Sequence, residues 1–358
     1  MNLSPESVKE TLLNKVNEMS ASSWQYAKKP TDFTRNRKIL FSDVLLSTIS
    51  MQKSASKTEL LNYFDFNASA PTASALIQQR KKISSETFAS LFYSFSNTFS
   101  LDKALKGYDL IAVDGSDIYI PRNPNDPDTY RITDQYNKGF NMIHLNAAYN
   151  LLSHLYTDVI LQPLNHINEF MAMCDIIDHY TATNPMRKPL FIADRGFVSF
   201  NVFAHAIENN AYFLVRARET SSRSILATLK LPDSPEFDII FERWLTRKNT
   251  KTVKAEPEVY KTIANRTFDY LEPKSKNIYY ISFRDIKYAT GLLFFHSRKK
   301  DLVIQEIYAK LILYNFCRLI TGTIVVEKRI ESILSDKFQH SYRCMYGISE
   351  TLLFLTTH

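Results

Sequence analysis

Glycine and cysteine are scarce in this sequence, which has seven glycines and three cysteines in 358 residues. So little glycine excludes a collagen-like or linker-rich chain. Cys174, Cys317 and Cys344 form no Cys-x-x-Cys pair, which argues against a zinc ribbon or a disulfide framework and favours a reducing cytoplasm. The sequence also lacks the run of about 18 apolar residues that a membrane-spanning helix needs, and its first residues do not resemble a signal peptide.

The charge of the chain is moderately positive. Lysine and arginine total 44 against 37 aspartates and glutamates, a formal net charge of +7. A surplus of this size favours a polyanionic partner such as nucleic acid, although many proteins without such a partner carry a similar charge. Hydrophobic residues make up 45% of the chain, which indicates a protein with a packed core.

Two regions of different character are predicted. Residues 1–100 have helical patterns and two basic runs, 35–38 and 80–82. They predict either a DNA-binding domain of helix-turn-helix type or an ordinary helical bundle with solvated basic side chains. Residues 105–358 alternate apolar strand runs with helices, which is typical of an α/β fold. Residues 302–320 give the clearest helix of the chain, with one continuous apolar stripe.

Two aspartates share a sequence context that suggests chemistry. Asp114 and Asp194 each follow four apolar residues of a predicted buried strand, and a glycine lies within two positions of each. Carboxylates at the ends of neighbouring strands can share a hard divalent cation. The alternative is that each aspartate only belongs to a turn, because Asp-Gly is a common turn element.

Other catalytic motifs are missing from the sequence. It contains no phosphate-binding GxxxxGK[ST] loop, no GxGxxG, no HExxH and no GxSxG. The eight histidines have no metal-ligand spacing. His144, His154 and His205 lie in predicted strands or helices, which favours structural roles for them.

Several short motifs follow one another between Tyr108 and His358. They are Ile111–Ser116 (IAVDGS), His144–Ala147 (HLNA), Asp158, Asn168-Glu169, Ile192–Phe197 (IADRGF), Asn201, Gly291-Leu292, Phe295–Ser297 (FHS), Gln305–Ala309 (QEIYA) and Tyr314–Phe316 (YNF). In this order they resemble the DDE transposases of insertion-sequence family four.

The resemblance implies an RNase H-like fold, a mixed sheet flanked by helices with a β-rich insertion, here truncated, at about 219–280. Together with the helical patterns, this predicts a helical domain at 1–100 and a catalytic domain at 105–358. The resemblance assigns catalysis and binding of Mg²⁺ or Mn²⁺ to Asp114 and Asp194. Arg195 and Lys287 are candidate phosphate contacts, and the alternative is that both are structural salt-bridge partners. The implied partners are transposon-end DNA, target DNA and a second copy of the chain, with no membrane, in the bacterial cytoplasm at the nucleoid.

The third acidic residue of the family pattern is not in its place. The family has a Tyr–Arg–Glu–Lys signature, and Lys287 fits its last position. Counting back through the family spacing puts Tyr280 at the glutamate position, Lys276 at the arginine position and Pro273 at the tyrosine position. Residues 279–284 are predicted to form a strand of the insertion rather than a catalytic helix. We therefore hypothesise that a segment was deleted, with its junction at Ser282-Phe283-Arg284.

Two other acids are poor replacements. On a helix Asp285 would point about 140° away from the glutamate position, and Glu306 lies in the apolar-striped helix, outside the active site of the family. The prediction is a transposase that nicks transposon ends and transfers the 3′-hydroxyl strand, in a copy with impaired activity. The alternatives are an inactive DNA-end-binding or inhibitory chain and an RNase H-like nuclease.

Overall fold

The structure is a computed structural model that describes residues 4–35, 37–52, 54–99, 104–215, 240–246, 249–262, 278–282 and 300–323. Within these residues no helix is long and apolar enough to cross a membrane. Cys174 and Cys317 are buried free thiols, and Cys344 lies outside the described residues.

The chain divides into two compact units. Unit 1 comprises Met1–Ser100, Ile120–Asn141 and Leu293–His358, and unit 2 comprises Leu101–Tyr119 and Met142–Leu292. The described α-helices are α1 (Pro5–Ala21), α2 (Ser23–Tyr26), α3 (Phe41–Ser50), α4 (Ser56–Tyr63), α5 (Ala73–Arg80), α6 (Glu86–Thr98), α7 (Glu169–Thr183), α8 (Phe200–Glu208), α9 (Lys251–Ala255) and α10 (Lys300–Thr323). The described strands are β1 (Asp109–Ile120), β2 (Tyr130–Thr133), β3 (Tyr136–Asn150), β4 (Leu155–Pro163), β5 (Pro189–Ala193), β6 (Tyr212–Val215), β7 (Ile240–Thr246), β8 (Tyr260–Thr262) and β9 (Ile278–Ser282).

Unit 1 is built around the helix that the sequence indicated most clearly. α10 packs against α1, α3 and α6, and its stripe residues Val303, Ile307, Leu311 and Phe316 are buried. They recur every four or five positions, so they lie along one side of the helix and cover the apolar side of α6. The predicted helix at 302–320 is confirmed.

A buried polar network joins α5 to α10 in unit 1. Arg80 is 2% exposed, and it donates hydrogen bonds to Glu306 Oε1 (3.2 Å), Gln305 Oε1 (3.2 Å) and the carbonyl oxygen of Leu302 (2.9 Å). Arg80 belongs to the basic run 80–82, which the sequence offered as a possible DNA contact. Its guanidinium instead forms a buried ion pair with the carboxylate of Glu306.

The sheet of unit 2 has the strand order β4-β3-β1-β5-β6. β1, β5 and β6 run parallel, and β4 is antiparallel to β3. Leu151, just after β3, donates its N–H to Leu110 at the start of β1, so these two strands run in opposite directions. α7 and α8 pack on the sheet through a core that includes Ile177 and Phe203. The predicted RNase H-like mixed sheet flanked by helices is confirmed.

One strand is longer than its sequence pattern indicated. The apolar runs before Asp114 and at Ile118–Ile120 predict two short strands around a turn, but a single strand, β1, spans Asp109–Ile120. Its pairing with β5 stops at Val113, whereas β3 lies along its other edge. Pairing on one edge is enough to keep the backbone extended, so Asp114 lies inside β1, just beyond the end of β5.

A separate three-stranded sheet occupies the described part of the insertion. Its order is β8-β7-β9, and β9 pairs antiparallel with β7 in a register that places Tyr280 opposite Glu242. The strand predicted at 279–284 is therefore confirmed for residues 279–282, and residues 283 and 284 lie outside the described part of the chain. The position that the family pattern reserves for its third acid is in a strand.

Candidate active site

The candidate aspartates Asp114 and Asp194 follow neighbouring positions in the sheet. β1 and β5 pair in parallel register up to Val113 and Ala193, so the next residues, Asp114 and Asp194, follow at the same edge. Both residues are exposed. Because the strand pairing aligns the residues just before them, Asp114 and Asp194 are neighbours at this edge of the sheet.

Each aspartate is also oriented by a backbone hydrogen bond. Asp114 Oδ1 accepts from the N–H of Gly115 (3.0 Å), and Asp194 Oδ1 accepts from the N–H of Gly196 (2.7 Å) as the N-cap of a short 3-10 turn. Desolvation by partial burial raises the pKa of Asp114. The negative charge of Asp194 also raises it, whereas the Gly115 N–H and His144 act in the opposite direction. Asp194 is therefore close enough for the two charges to interact.

A third carboxylate lies beside this pair. Glu169 is the first residue of α7, whose N-cap is Asn168. A Cβ atom added at Gly115 would lie 2.7 Å from Glu169 Oε1, and one added at Gly196 would lie 3.7 Å from Glu169 Oε2. Since these glycines directly follow Asp114 and closely follow Asp194, the Glu169 carboxylate lies near both segments that carry the aspartates.

A buried histidine faces the same carboxylate. His144 of β3 is 6% exposed, and its Nδ1 lies 2.7 Å from Asp117 Oδ1. Its Nε2 is 3.2 Å from Glu169 Oε1 but not in hydrogen-bonding geometry, so this nitrogen has no hydrogen-bond partner among the described residues. A Cβ atom at Gly115 would come within 2.8 Å of it. Because Gly115 has no side chain, the His144 imidazole and the Glu169 carboxylate can both lie next to it.

These side chains suit a divalent cation. Carboxylate oxygens are the ligands that Mg²⁺ and Mn²⁺ prefer, and an imidazole whose other nitrogen is held by a carboxylate is a common feature of metal sites. Within the described residues, no three such side chains are already spaced to hold one ion. Asp114 and Asp194 each direct one oxygen to a backbone N–H, which leaves the second oxygen of each for a ligand.

The two predicted phosphate contacts, Arg195 and Lys287, differ in whether the structure describes them. Arg195 is exposed in the turn directly after Asp194, where a phosphate could reach it. Lys287 lies outside the described residues, as does Asp285. Sequence reasoning did not place Asp117, His144 and Glu169 beside the two aspartates. His144 and Glu169 stood among the family-like motifs, and that was the available signal.

A family model described as the transposase DDE domain matches residues 105–280, and domains of this kind generally use divalent metal ions. No curated protein matches the chain.

Similar solved structures are distant in sequence. A piggyBac transposase synaptic complex with hairpin DNA has 10% identity and a TM-score of 0.47, covering 99% of this chain and 81% of that one. A Drosophila P element transposase strand transfer complex has 7% identity and a TM-score of 0.30, covering 59% and 48%. A pre-cleavage Mos1 transpososome has 10% identity and a TM-score of 0.22, covering 50% and 60%.

The segment that the family model matches contains Asp114, Asp194 and the side chains around them. Residues 105–280 of this chain are therefore similar to the transposase DDE domain family.

Proposed function

We propose that this chain is a DNA transposase of the insertion-sequence family four lineage, in which Asp114 and Asp194 hold Mg²⁺ or Mn²⁺ at the ends of transposon DNA. The observation that carries the proposal is the parallel register of β1 and β5, which brings the two carboxylates together at one sheet edge. When bound, divalent cations at such a site supply stabilisation of the attacking and leaving oxygens of a phosphodiester.

The proposal includes a loss of strand-transfer activity. A transposition site needs a third acidic side chain for its second cation, and the family pattern would place that acid at Tyr280. Tyr280 lies in β9, which pairs with β7, and not in a helix. The strand supports the hypothesis that a segment carrying the catalytic helix was lost, because a point substitution would have left the helix in place.

The experiment uses the genomic DNA that flanks the coding sequence as donor and a supercoiled plasmid as target, with Mg²⁺ or Mn²⁺. The expected result is binding of the flanking DNA with strand transfer near background. Efficient strand transfer that Asp114→Ala abolishes would show that the third acid is intact and that the activity was not lost.

Tyr280→Glu separates a lost segment from a simple substitution. We expect this variant to transfer strands no better than the unchanged chain, because a glutamate in β9 is on the wrong element. The measurement is the same strand-transfer assay, with Tyr280→Gln as the uncharged control. Recovery of activity in the glutamate variant alone would mean that position 280 faces the site and that no segment is missing.

DNA is the proposed partner, and a second copy of the chain is proposed to pair the two transposon ends. The solved structures similar to this chain include transposases in a synaptic complex and in a strand transfer complex with DNA.

The loss of the third acid favours a second role for this copy, in which it binds transposon ends or pairs with intact subunits and inhibits them. Mixing the chain with an active relative would detect such inhibition as reduced strand transfer.

Arg195 is proposed to contact the phosphate backbone, since it is exposed directly after Asp194. Arg195→Ala is expected to weaken binding of the flanking DNA and to reduce the slope of log affinity against log salt by about 1, the effect of losing one phosphate contact. Arg195→Lys keeps the charge and should keep the slope. A titration by fluorescence anisotropy at several salt concentrations measures both, and an unchanged slope in the alanine variant would contradict the contact.

A further inference from the structure

We propose that Glu169 is a third carboxylate ligand of the cation site, so that the chain still binds one divalent cation tightly although the family's third acid is lost. The inference rests on the proposed function, because it takes Asp114 and Asp194 as the other two ligands. It adds a residue from a different element, the first turn of α7, to a site otherwise made by two strands.

The Glu169 carboxylate lies close to both Gly115 and Gly196, the residues that follow the two aspartates. Its side chain is 37% exposed, so it faces the solvent from which a cation would arrive. Three negative side chains at one edge repel one another, and a bound divalent cation would relieve that repulsion.

His144 is more than nine-tenths buried, and its Nε2 lies 3.2 Å from Glu169 Oε1 without a hydrogen bond in the described part of the chain. Leaving a buried polar atom unsatisfied is costly. Its Nδ1 is held by Asp117, which fixes the ring and keeps Nε2 turned toward the site. An imidazole arranged in this way can orient a cation-binding carboxylate or a water on the cation.

Binding one ion would require the Glu169 side chain to move. The three carboxylates are not yet spaced for one ion. A glutamate side chain has three rotatable bonds, and rotation about them moves the carboxylate without changing the backbone of α7. Asp114 and Asp194 each have one oxygen that is not used on Gly115 or Gly196 N–H.

The test is the affinity of the full chain for Mn²⁺, measured from the electron paramagnetic resonance signal of the free ion. Glu169→Gln is expected to weaken binding by about 10- to 100-fold, the loss typical when a residue that supports a metal site is replaced. Glu256→Gln is the control, because it removes the same charge from an exposed residue at the end of α9 and should leave binding unchanged.

Glu169→Asp distinguishes a ligand from a nearby charge. Aspartate keeps the charge and suits the first turn of a helix, so the variant should fold, but its carboxylate is one methylene shorter. We expect it to bind Mn²⁺ about tenfold more weakly than the unchanged chain. Equal affinity in the aspartate variant would overturn the assignment of Glu169 as a ligand, as would equal affinity in folded Glu169→Gln.

The outcomes separate this inference from the proposed function. If Asp194→Asn weakens Mn²⁺ binding and neither Glu169 variant does, only the role of Glu169 is wrong. If the unchanged chain does not bind Mn²⁺ saturably, or if Asp194→Asn binds it equally well, both the proposed cation site and the role of Glu169 are wrong.

Discussion

Asp114→Asn and Asp194→Asn are each expected to weaken Mn²⁺ binding by at least about 100-fold, the upper end of the loss seen when the support of a metal ligand is removed. Each change replaces a carboxylate that faces the shared site with a neutral amide of the same size. Any residual cation-dependent nicking of the flanking DNA should disappear with the binding. Isothermal titration with Mn²⁺ and a gel assay for nicked DNA measure the two effects.

The asparagine variants are chosen so that the fold is kept. Asparagine Oδ1 can accept the hydrogen bond that Asp194 accepts from Gly196, so the turn after β5 retains its cap. Asp134→Asn is the matched control, because Asp134 is an exposed residue between β2 and β3. If Asp114→Asn and Asp194→Asn bind Mn²⁺ as the control does, the two aspartates are turn residues and not ligands.

Arg80→Met is expected to lower the free energy of unfolding by about 3–5 kcal/mol, the loss typical when one partner of a buried ion pair is removed. Arg80 and Glu306 are each 2% exposed, so the variant leaves a carboxylate without its salt bridge in the interior of unit 1. It also removes the hydrogen bonds to Gln305 and to the Leu302 carbonyl. Urea unfolding monitored by circular dichroism measures the free energy of unfolding of the unchanged chain and of the Arg80→Met variant.

Two further variants test the cause of that loss. Arg80→Met combined with Glu306→Leu should recover much of the stability, because apolar residues of similar volume can replace a buried ion pair. Lys82→Met is the surface control: its amine lies 3.8 Å from Asp32 in a partly exposed pair, which contributes at most about 1 kcal/mol. A loss in Arg80→Met no larger than in Lys82→Met would contradict the network.

The adjacency of Asp114 and Asp194 was predictable because it depends on local pattern and one topological rule. Four apolar residues before each aspartate predict buried strands, and parallel neighbours end at the same edge of a sheet. The length of β1 was not predictable in the same way. Its continuation past Asp114 depends on β3 along its other edge, and no local signal in residues 114–117 indicates that partner.

The placement of His144 and Glu169 near the aspartates could not be derived from spacing. The two residues are far apart in the sequence, and they meet only because the register of β3 and the start of α7 bring them to Gly115. A histidine in an apolar strand is usually structural, which is how the pattern around His144 was interpreted. Its unsatisfied Nε2 becomes visible only when the side chains around it are placed.

The basic run at 80–82 shows a second limit of sequence patterns. Three successive basic residues indicate a solvated or DNA-binding face, and the pattern does not show which of them turns inward. Arg80 does so because α5 ends beside α10, where Glu306 and Gln305 accept its hydrogen bonds. Their positions lie more than two hundred residues further along the chain.

Cleavage of the protein backbone by bound iron tests most directly whether Asp114 and Asp194 hold the cation. Fe²⁺ takes the place of Mg²⁺ in oxygen-ligand sites, and with ascorbate and peroxide it generates radicals that cut the chain near the ion. The prediction is cutting close to residues 114 and 194 in the unchanged chain, and loss of both cuts in Asp194→Asn. Cuts only at other positions, or cuts of equal strength in Asp194→Asn, would contradict the site.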